Sequence, residues 1–461
     1  VVDAVDALLE RADDLIDQAR ARQTPVSAAP AIGQNAPLVL DVQLANDHKD
    51  AGAGAPRTTS VTIVHGKNVP RPQLAFTEPV DNSNTPFVPK LTTKPNAKEP
   101  LEVTFTKIEQ AMAITNPYAY EITHIAYGPN VLEERDEQPP LPLEDAPKAV
   151  WVDTPAALAA MLAELKQVDE LAVDLEHHDY RSFQGFTCLM QISTRTQDYL
   201  VDTLALRSQL GCLNEVFTND RIVKVFHGAH FDIQWLQKDL GLYVVNLFDT
   251  YHASQVLKMD QHSLAYLLQT YCDVQTNKMY QTADWRIRPL TEEMAKYAQM
   301  DTHFLLYIFD RMRNELIARS DNAETKNLLF TTLRRSEAVS LQTYQKDLYD
   351  REDGMGNNGW RATARRIGMA FTTEQFAVFK VLHAWRDAIA REEDESVRWV
   401  LPNHMLAVLT ARMPDHATAV MACCRPVPPL IKIHANELAL MIEQARLQAR
   451  ADEAAKTAEL E

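Results

Sequence analysis

Two acids set two apart in an otherwise apolar stretch open the chemistry of this chain. In ELAVDLE, Asp174 and Glu176 are separated by one residue, and on a strand that spacing points both side chains to one face. Two carboxylates on one apolar face repel and lose hydration, so the pair is costly without a cation between them. A divalent metal answers that cost. The bland alternative is a solvent-facing edge strand with incidental acids, and the pair alone favours it. Two further acids change the balance. Asp232 stands at the start of a helical pattern in HGAHFDIQWL, where an acid also suits the helix dipole. Asp301 stands in YAQMD, with Tyr297 one turn earlier, so phenol and carboxylate share a helix face. Apolar Phe304, Leu305, Leu306 and Ile308 follow Asp301; its helix is therefore expected to be buried, a poor place for a lone acid. Taken together the four acids read as a metal site.

The elements that must hold them form a recognisable order. ELAVDLE, TCLMQIST, DYLVD, IVKVFHG and VVNLFD read as strands. AHFDIQWLQKDLG reads as a helix stopped at Gly241, and TYHASQVLK and HSLAYLLQTY as two more. One long helix is expected over Glu292–Ile317. Three meandering strands followed by alternating helix and strand predict an α/β domain with a mixed sheet. After a Gly/Asn-rich DGMGNNG connector, TTEQFAVFKVLHAWRDAIAREED and its successors give four or more helices, broken by Pro402, Pro414 and PVPP. That is an all-helical domain. Of the 24 prolines, 17 lie between Pro25 and Pro147, so this third reads as an extended strap against a folded body. Before it, Val5, Leu8, Leu9, Ala12, Leu15, Ile16 and Ala19 recur at helical spacing.

Composition sets limits. The 461 residues are 46% hydrophobic and carry a net charge of −17. That balance argues against nonspecific coating of nucleic acid, and leaves open a local site that processes one end. No apolar run reaches the length that spans a bilayer, so no membrane partner is expected. No signal peptide opens the chain, which lacks an initiator Met and is read as a piece of a longer protein. The five cysteines form no CxxC pair, which points to a reducing compartment and away from structural zinc. Cys188, within an apolar strand, is expected in the core, and His303, off the Asp301 face, in packing.

DLEHHDYRSFQG with TCLMQIST, VKVFHGAHFDIQWLQKDLGLYVVNLFDTYHAS, HSLAYLL, ADWRIRPL and YAQMDTHFLL resemble the RNase D-type branch of the DEDD exonuclease superfamily. More narrowly they resemble the nuclear exosome-associated 3′→5′ exoribonucleases of eukaryotes, and the helices from about Thr372 to Gln448 resemble the HRDC domain that follows in that family. The resemblance implies an RNase H-like DEDD-Y domain with a mixed sheet over 150–320, a connector over 321–364 and an HRDC-like helical domain over 365–450. It also implies a remnant of an N-terminal cofactor-binding domain in 1–22, a strap in 23–149 and a frayed tail in 451–461.

By position it makes Asp174, Glu176, Asp232 and Asp301 metal ligands, with Tyr297 as the tyrosine of the DEDD-Y subgroup. The implied chemistry is hydrolysis of single-stranded RNA from its 3′ end to nucleoside 5′-monophosphates, with two Mg²⁺ or Mn²⁺ ions about 3.5–4 Å apart. Asp174 is the expected bridging ligand, and Tyr297 the orienter of water, since a phenol of ordinary pKa is a poor base. The implied setting is nuclear and nucleolar RNA processing, ribosomal RNA included, with surveillance and decay. Partners would be the exosome core and a small nuclear cofactor protein, whose docking regions are largely absent from this chain. Weaker candidates for substrate contact are one of His177 and His178, Phe231, His262, Lys278, and the aromatic–basic cluster Trp285, Arg286 and Arg288. Each has a structural alternative: core packing for Phe231, a cap for His262, surface cations around a buried indole for the cluster. Residue chemistry alone leaves open a DNA 3′–5′ exonuclease of the same superfamily, or a noncatalytic RNA-binding scaffold.

Overall fold

A computed structural model describes residues 37–45, 58–66, 69–102, 105–108, 111–276, 278–320 and 327–460, with backbone alone for 37–45, 58–66, 105–108, 111–113, 278–279 and 459–460. The helix expected in 1–22 lies outside the described residues.

Six strands form the central sheet: β1 (Val150–Val152), β2 (Glu170–His178), β3 (Phe186–Ser193), β4 (Asp198–Val201), β5 (Val223–Phe226) and β6 (Leu247–Asp249). Their order across the sheet is β6-β5-β2-β3-β4-β1. The pairs β2–β3 and β3–β4 are antiparallel, while β2–β5, β5–β6 and β1–β4 are parallel. The sheet is therefore mixed, as expected, and β2 sits in its middle.

Alternation along β2 divides its work between two layers. Leu171, Val173 and Leu175 face one core, with α1 (Pro155–Leu165) supplying Leu158, Met161, Leu162 and Leu165. Ala172 faces the opposite core with Val223, Val225 and Phe248. Asp174 and Glu176 continue the Ala172 face, so the acids project into the layer where the later helices pack.

Helix α2 (His230–Trp235), just past β5, sends Ile233 into the α1 core, and the layer facing the acids carries α3 (Thr250–Val256), α4 (Leu264–Cys272), α5 (Glu292–His303), α6 (Leu305–Ala318) and α7 (Leu328–Ser340). The single helix expected over Glu292–Ile317 is two, interrupted at Phe304. The break has a packing reason: α5 lies against β2, β3 and β4, whereas α6 lies against β2 and β5, so the chain changes direction as it crosses β2. The Thr291 hydroxyl accepts from the Met294 amide at 3.2 Å and starts α5, with Glu292 and Glu293 in its first turn.

The region 321–364 was expected to be a connector, and α7 stands within it. Leu329 and Leu333 enter the core beside Phe309 and Val339 enters the other. Buried Thr332, Ser336 and Ser340 occupy the remaining inward positions, and these small hydroxyl residues hide the apolar period.

The helical domain holds α8 (Trp360–Ile367), α9 (Thr373–Glu393), α10 (Val397–Val400), α11 (Asn403–Arg412), α12 (Ala417–Ala422) and α13 (Pro429–Leu460). Trp360, Phe379, Leu382, Leu406, Ile431 and Leu438 share its core, so the domain begins earlier than expected. Thr372 and Gln375 close a reciprocal cap on α9. The stretch 451–458, expected to fray, continues α13 with its side chains exposed.

Strap and domains meet at one place. Asp394, left-handed at φ 48° after α9, accepts from the Ser182 hydroxyl and the Phe183 amide, each at 3.0 Å, and from Asn82 Nδ2 at 2.9 Å. Arg181 forks onto Glu395, Ser396 donates to the Tyr180 carbonyl at 2.7 Å, and Arg71 donates to the Asp394 carbonyl at 2.8 Å. Residues 71–82 thus touch both folded parts.

Candidate metal and nuclease site

Strand β2 delivers Asp174 and Glu176, and helix α5 delivers Asp301 from above the same face. Ligand oxygens of these three residues lie within 4.8 Å of one another. Asp232 stands outside that tight trio, yet near enough that charge on Asp174 opposes its ionisation.

Asp232 is placed by a turn at the end of β5. Gly228 adopts φ 73°, a conformation open to residues lacking a Cβ. The Asp249 carboxylate accepts from the Gly228, Ala229 and Tyr251 amides at 2.8, 3.0 and 2.9 Å. That buried acid therefore fixes where α2 begins and where Asp232 points.

Crowding shows in the titration of the acids. Burial pushes Asp174 up to about 7. Glu176 is raised by burial and then by Asp174, Asp301 and Asp232; Asp232 and Asp301 are raised by burial and then by Asp174. Four carboxyl groups held so near each other stay ionised together only with positive charge among them. A donor set of hard oxygens, with no nitrogen or sulfur in it, suits Mg²⁺ or Mn²⁺.

The Tyr297 phenol and the Asp301 carboxyl, one turn apart on α5, stand close enough for each to shift the other's ionisation. Burial first, and then the neighbouring acids, raise the phenol well above its usual range, so it acts as a hydrogen-bond donor and keeps its proton at neutral pH. Its ring lies 6.1 Å from Trp285 and 5.6 Å from Tyr280.

The outlying candidates divide. Phe231 is 50% exposed and stacks on Trp235 at 5.9 Å, and Trp235 stacks on His177 at 4.3 Å with the rings 6° apart. Phe231 is thus the open end of an aromatic ladder beside Asp232. His177 is its inner end: burial lowers its pKa to about 3, and it packs under Gly185, where any Cβ would collide with its ring. A bulge between Glu176 and His177 turns the strand there. His178 accepts from the Arg181 amide at 3.0 Å. The ring of His262 is fixed at 2.9 Å from the Ser254 hydroxyl and edge-on to Tyr251. Lys278 begins a short 3₁₀ turn, and its side chain lies outside the described residues.

Trp285, Arg286 and Arg288 do not form the stacking and phosphate-binding cluster the sequence led us to expect. Trp285 is 1% exposed and packs on Tyr297. Arg286, also buried, grips Asp284 through two bonds of 2.8 and 2.7 Å. Arg288 forks onto Asp202 at 2.8 and 2.9 Å and donates to the Cys188 carbonyl at 2.6 Å. Their charge is spent inside the protein. His303 packs as expected, between Asp198 and the Leu141 carbonyl, each at 2.8 Å, and Cys188 is buried.

Sequence reasoning passed over three supports. Gln191 donates to Glu176 at 3.3 Å. Lys238, on the π-helical turn Leu236–Leu240 that extends α2, donates to the Gln184 and Gly185 carbonyls at 2.8 and 2.7 Å. Asp249 is the third. The signal for Asp249 was its place at a strand end before a helix; Gln191 and Lys238 gave none.

Residues 149–317 match the family model described as "3'-5' exonuclease", and residues 375–442 match the HRDC domain model. The crystal structure of the catalytic core of RRP6 from Trypanosoma brucei superposes with a TM-score of 0.71 at 40% identity, covering 82% of this chain and 99% of that one. The chain belongs to the RRP6 family. Among curated RRP6 relatives, "Exosome complex exonuclease RRP6" of Saccharomyces cerevisiae is 46% identical over 388 residues, covering 82% of this chain. "Exosome complex component 10" of Rattus norvegicus is 42% identical over 480 residues, covering 97% of this chain. The chain spans 52% of the length of each of these two relatives. Among the described residues no helix is long and apolar enough to cross a membrane.

Proposed function

We propose that this chain carries a 3′–5′ exoribonuclease, hydrolysing single-stranded RNA from its 3′ end to nucleoside 5′-monophosphates. The observation that carries the reading is the convergence of Asp174, Glu176 and Asp301, with Asp232 alongside and Tyr297 beside Asp301. Asp174, Glu176, Asp232 and Asp301 would hold two divalent cations, Mg²⁺ or Mn²⁺. When bound, such a pair supplies an acidified water and charge stabilisation at the scissile phosphate.

The chain's own groups do the rest. Tyr297, protonated, donates a hydrogen bond that orients the water for attack on phosphorus. The bond to the preceding nucleotide's 3′ oxygen breaks, leaving a new 3′ hydroxyl and a free 5′-monophosphate. Phe231, open at the end of its ladder beside Asp232, is placed to stack on a terminal base. Contacts from His262 and Lys278 stay within the proposal; His177 enters it as a support of the ladder. The domain reading is a nuclease body running through α7, an HRDC-like helical domain from α8, and a strap that lies on both.

Membership of the RRP6 family favours nuclear RNA processing and decay with the exosome, in nucleus and nucleolus, and a small nuclear cofactor protein as partner of the full-length protein. Matched 3′-labelled RNA and DNA strands test the reading. Stepwise release of 5′-monophosphates from RNA, abolished in Asp174→Asn with RNA binding retained, is the expected result. Preferential trimming of DNA would favour the DNA exonuclease alternative; RNA binding without any turnover by the parent chain in Mg²⁺ or Mn²⁺ would leave only the RNA-binding scaffold.

A further inference from the structure

Gln191 stands on β3 directly across from Asp174 in the antiparallel register. Directly opposed residues share a sheet face, here the one bearing Asp174 and Glu176. Its side chain is wholly buried, and its Nε2 donates to Glu176 Oε1 at 3.3 Å. Its Oε1 is also buried and accepts no hydrogen bond from any described group. A buried amide oxygen without a donor loses its hydration for nothing. A methionine would fill similar space without that cost, so the amide needs a reason.

The neighbouring protein groups supply no donor. Asp174, Glu176 and Asp301, once ionised, only accept, and the Tyr297 hydroxyl makes no hydrogen bond to the amide oxygen. Water in the coordination sphere of a cation is a strong donor, and groups that bond to ligands or ligated water tune metal affinity. We propose that Gln191 is a positioning residue of the cation site, its Nε2 holding the orientation of Glu176 and its Oε1 accepting from cation-bound water. This rests on the reading of the acids as a cation site.

The test uses the whole 461-residue chain without RNA, titrated with Mn²⁺ and followed by the paramagnetic resonance of free Mn²⁺ and by melting temperature. Gln191→Met should melt within a few degrees of the parent without metal. It should bind Mn²⁺ about tenfold or more weakly, lose most of the Mn²⁺-induced rise in melting temperature, and lower kcat with KM little changed. Parental Mn²⁺ affinity in Gln191→Met overturns the proposal. Should Gln191→Met fail to melt cooperatively, Gln191→Asn, with the amide drawn back by one methylene, decides: weakened Mn²⁺ binding upholds the assignment and parental affinity overturns it. Asp174→Asn separates the two ideas. If it abolishes tight Mn²⁺ binding while Gln191→Met leaves it intact, the role of Gln191 alone falls. If Asp174→Asn binds Mn²⁺ as the parent does, the cation site itself falls.

Discussion

The indole of Trp285 lies 6.1 Å from the phenol ring of Tyr297, tilted 36° to it, and is 1% exposed. One aromatic thus backs another whose hydroxyl stands beside a candidate metal ligand. The two should answer mutation differently. Tyr297→Phe keeps the packing and removes only the donor. Single-turnover kinetics should show kcat reduced about 10²-fold, with RNA affinity and melting temperature nearly unchanged. Trp285→Ala empties a buried volume and should cost about 3–5 kcal/mol in stability, read by denaturant unfolding.

Acid–base behaviour of the metal-free protein should be unusual. Asp174 is raised to about 7, and Glu176, Asp232 and Asp301 are also raised. At these acids the folded state holds protons that the unfolded chain has released, a contribution to stability that falls as pH rises from about 4 through 7. Buried His177, His227 and His383, lowered to about 3, 4 and 3, act in the opposite sense up to about 6.5, so the acids are read by difference. In chelator, Asp174→Asn should lose stability less steeply with rising pH than the parent, and millimolar Mg²⁺ or Mn²⁺ should stabilise the parent most at the alkaline end. Parallel pH profiles of parent and Asp174→Asn in chelator would mean that the acids do not crowd as described.

Phe231 is half exposed, so Phe231→Ala should cost little stability. Loss of one base stack is worth about 1–3 kcal/mol. KM for RNA should rise roughly 5- to 150-fold, with a smaller change in kcat.

Arg286 offers a contrast. Its guanidinium is closed onto buried Asp284, so Arg286→Met takes a forked counter-charge from an interior acid and should destabilise by about 3–5 kcal/mol. The salt dependence of RNA binding should keep its slope. A slope shallower by about one would instead mark a phosphate contact.

These contrasts mark what the sequence could convey. Strand alternation put Asp174 and Glu176 on one face, and helical spacing put Tyr297 beside Asp301; both are local rules and both operate. Arg288 misled because its acid, Asp202, lies 86 residues away, a pairing that no window of sequence displays. Helix α7 was hidden because Ser336 faces inward, where its hydroxyl accepts from the Asp249 amide at 3.0 Å and reads as polar in any pattern. Gln191 looked like any strand glutamine until the register set it against Asp174.

The grip of Asp394 on Ser182 and Phe183 reaches beyond the helical domain that contains it. Those two residues sit a few positions past Glu176, in the loop that returns the chain to β3, and Arg71 and Asn82 bind the same corner from the other side. Removing everything after Gly359 would leave that return loop without its fastening, and hydrogen exchange over 179–185 should quicken accordingly. The nuclease body is no free-standing cassette: a graft that moved it alone into another protein would carry the acids along but leave behind the clasp beside them.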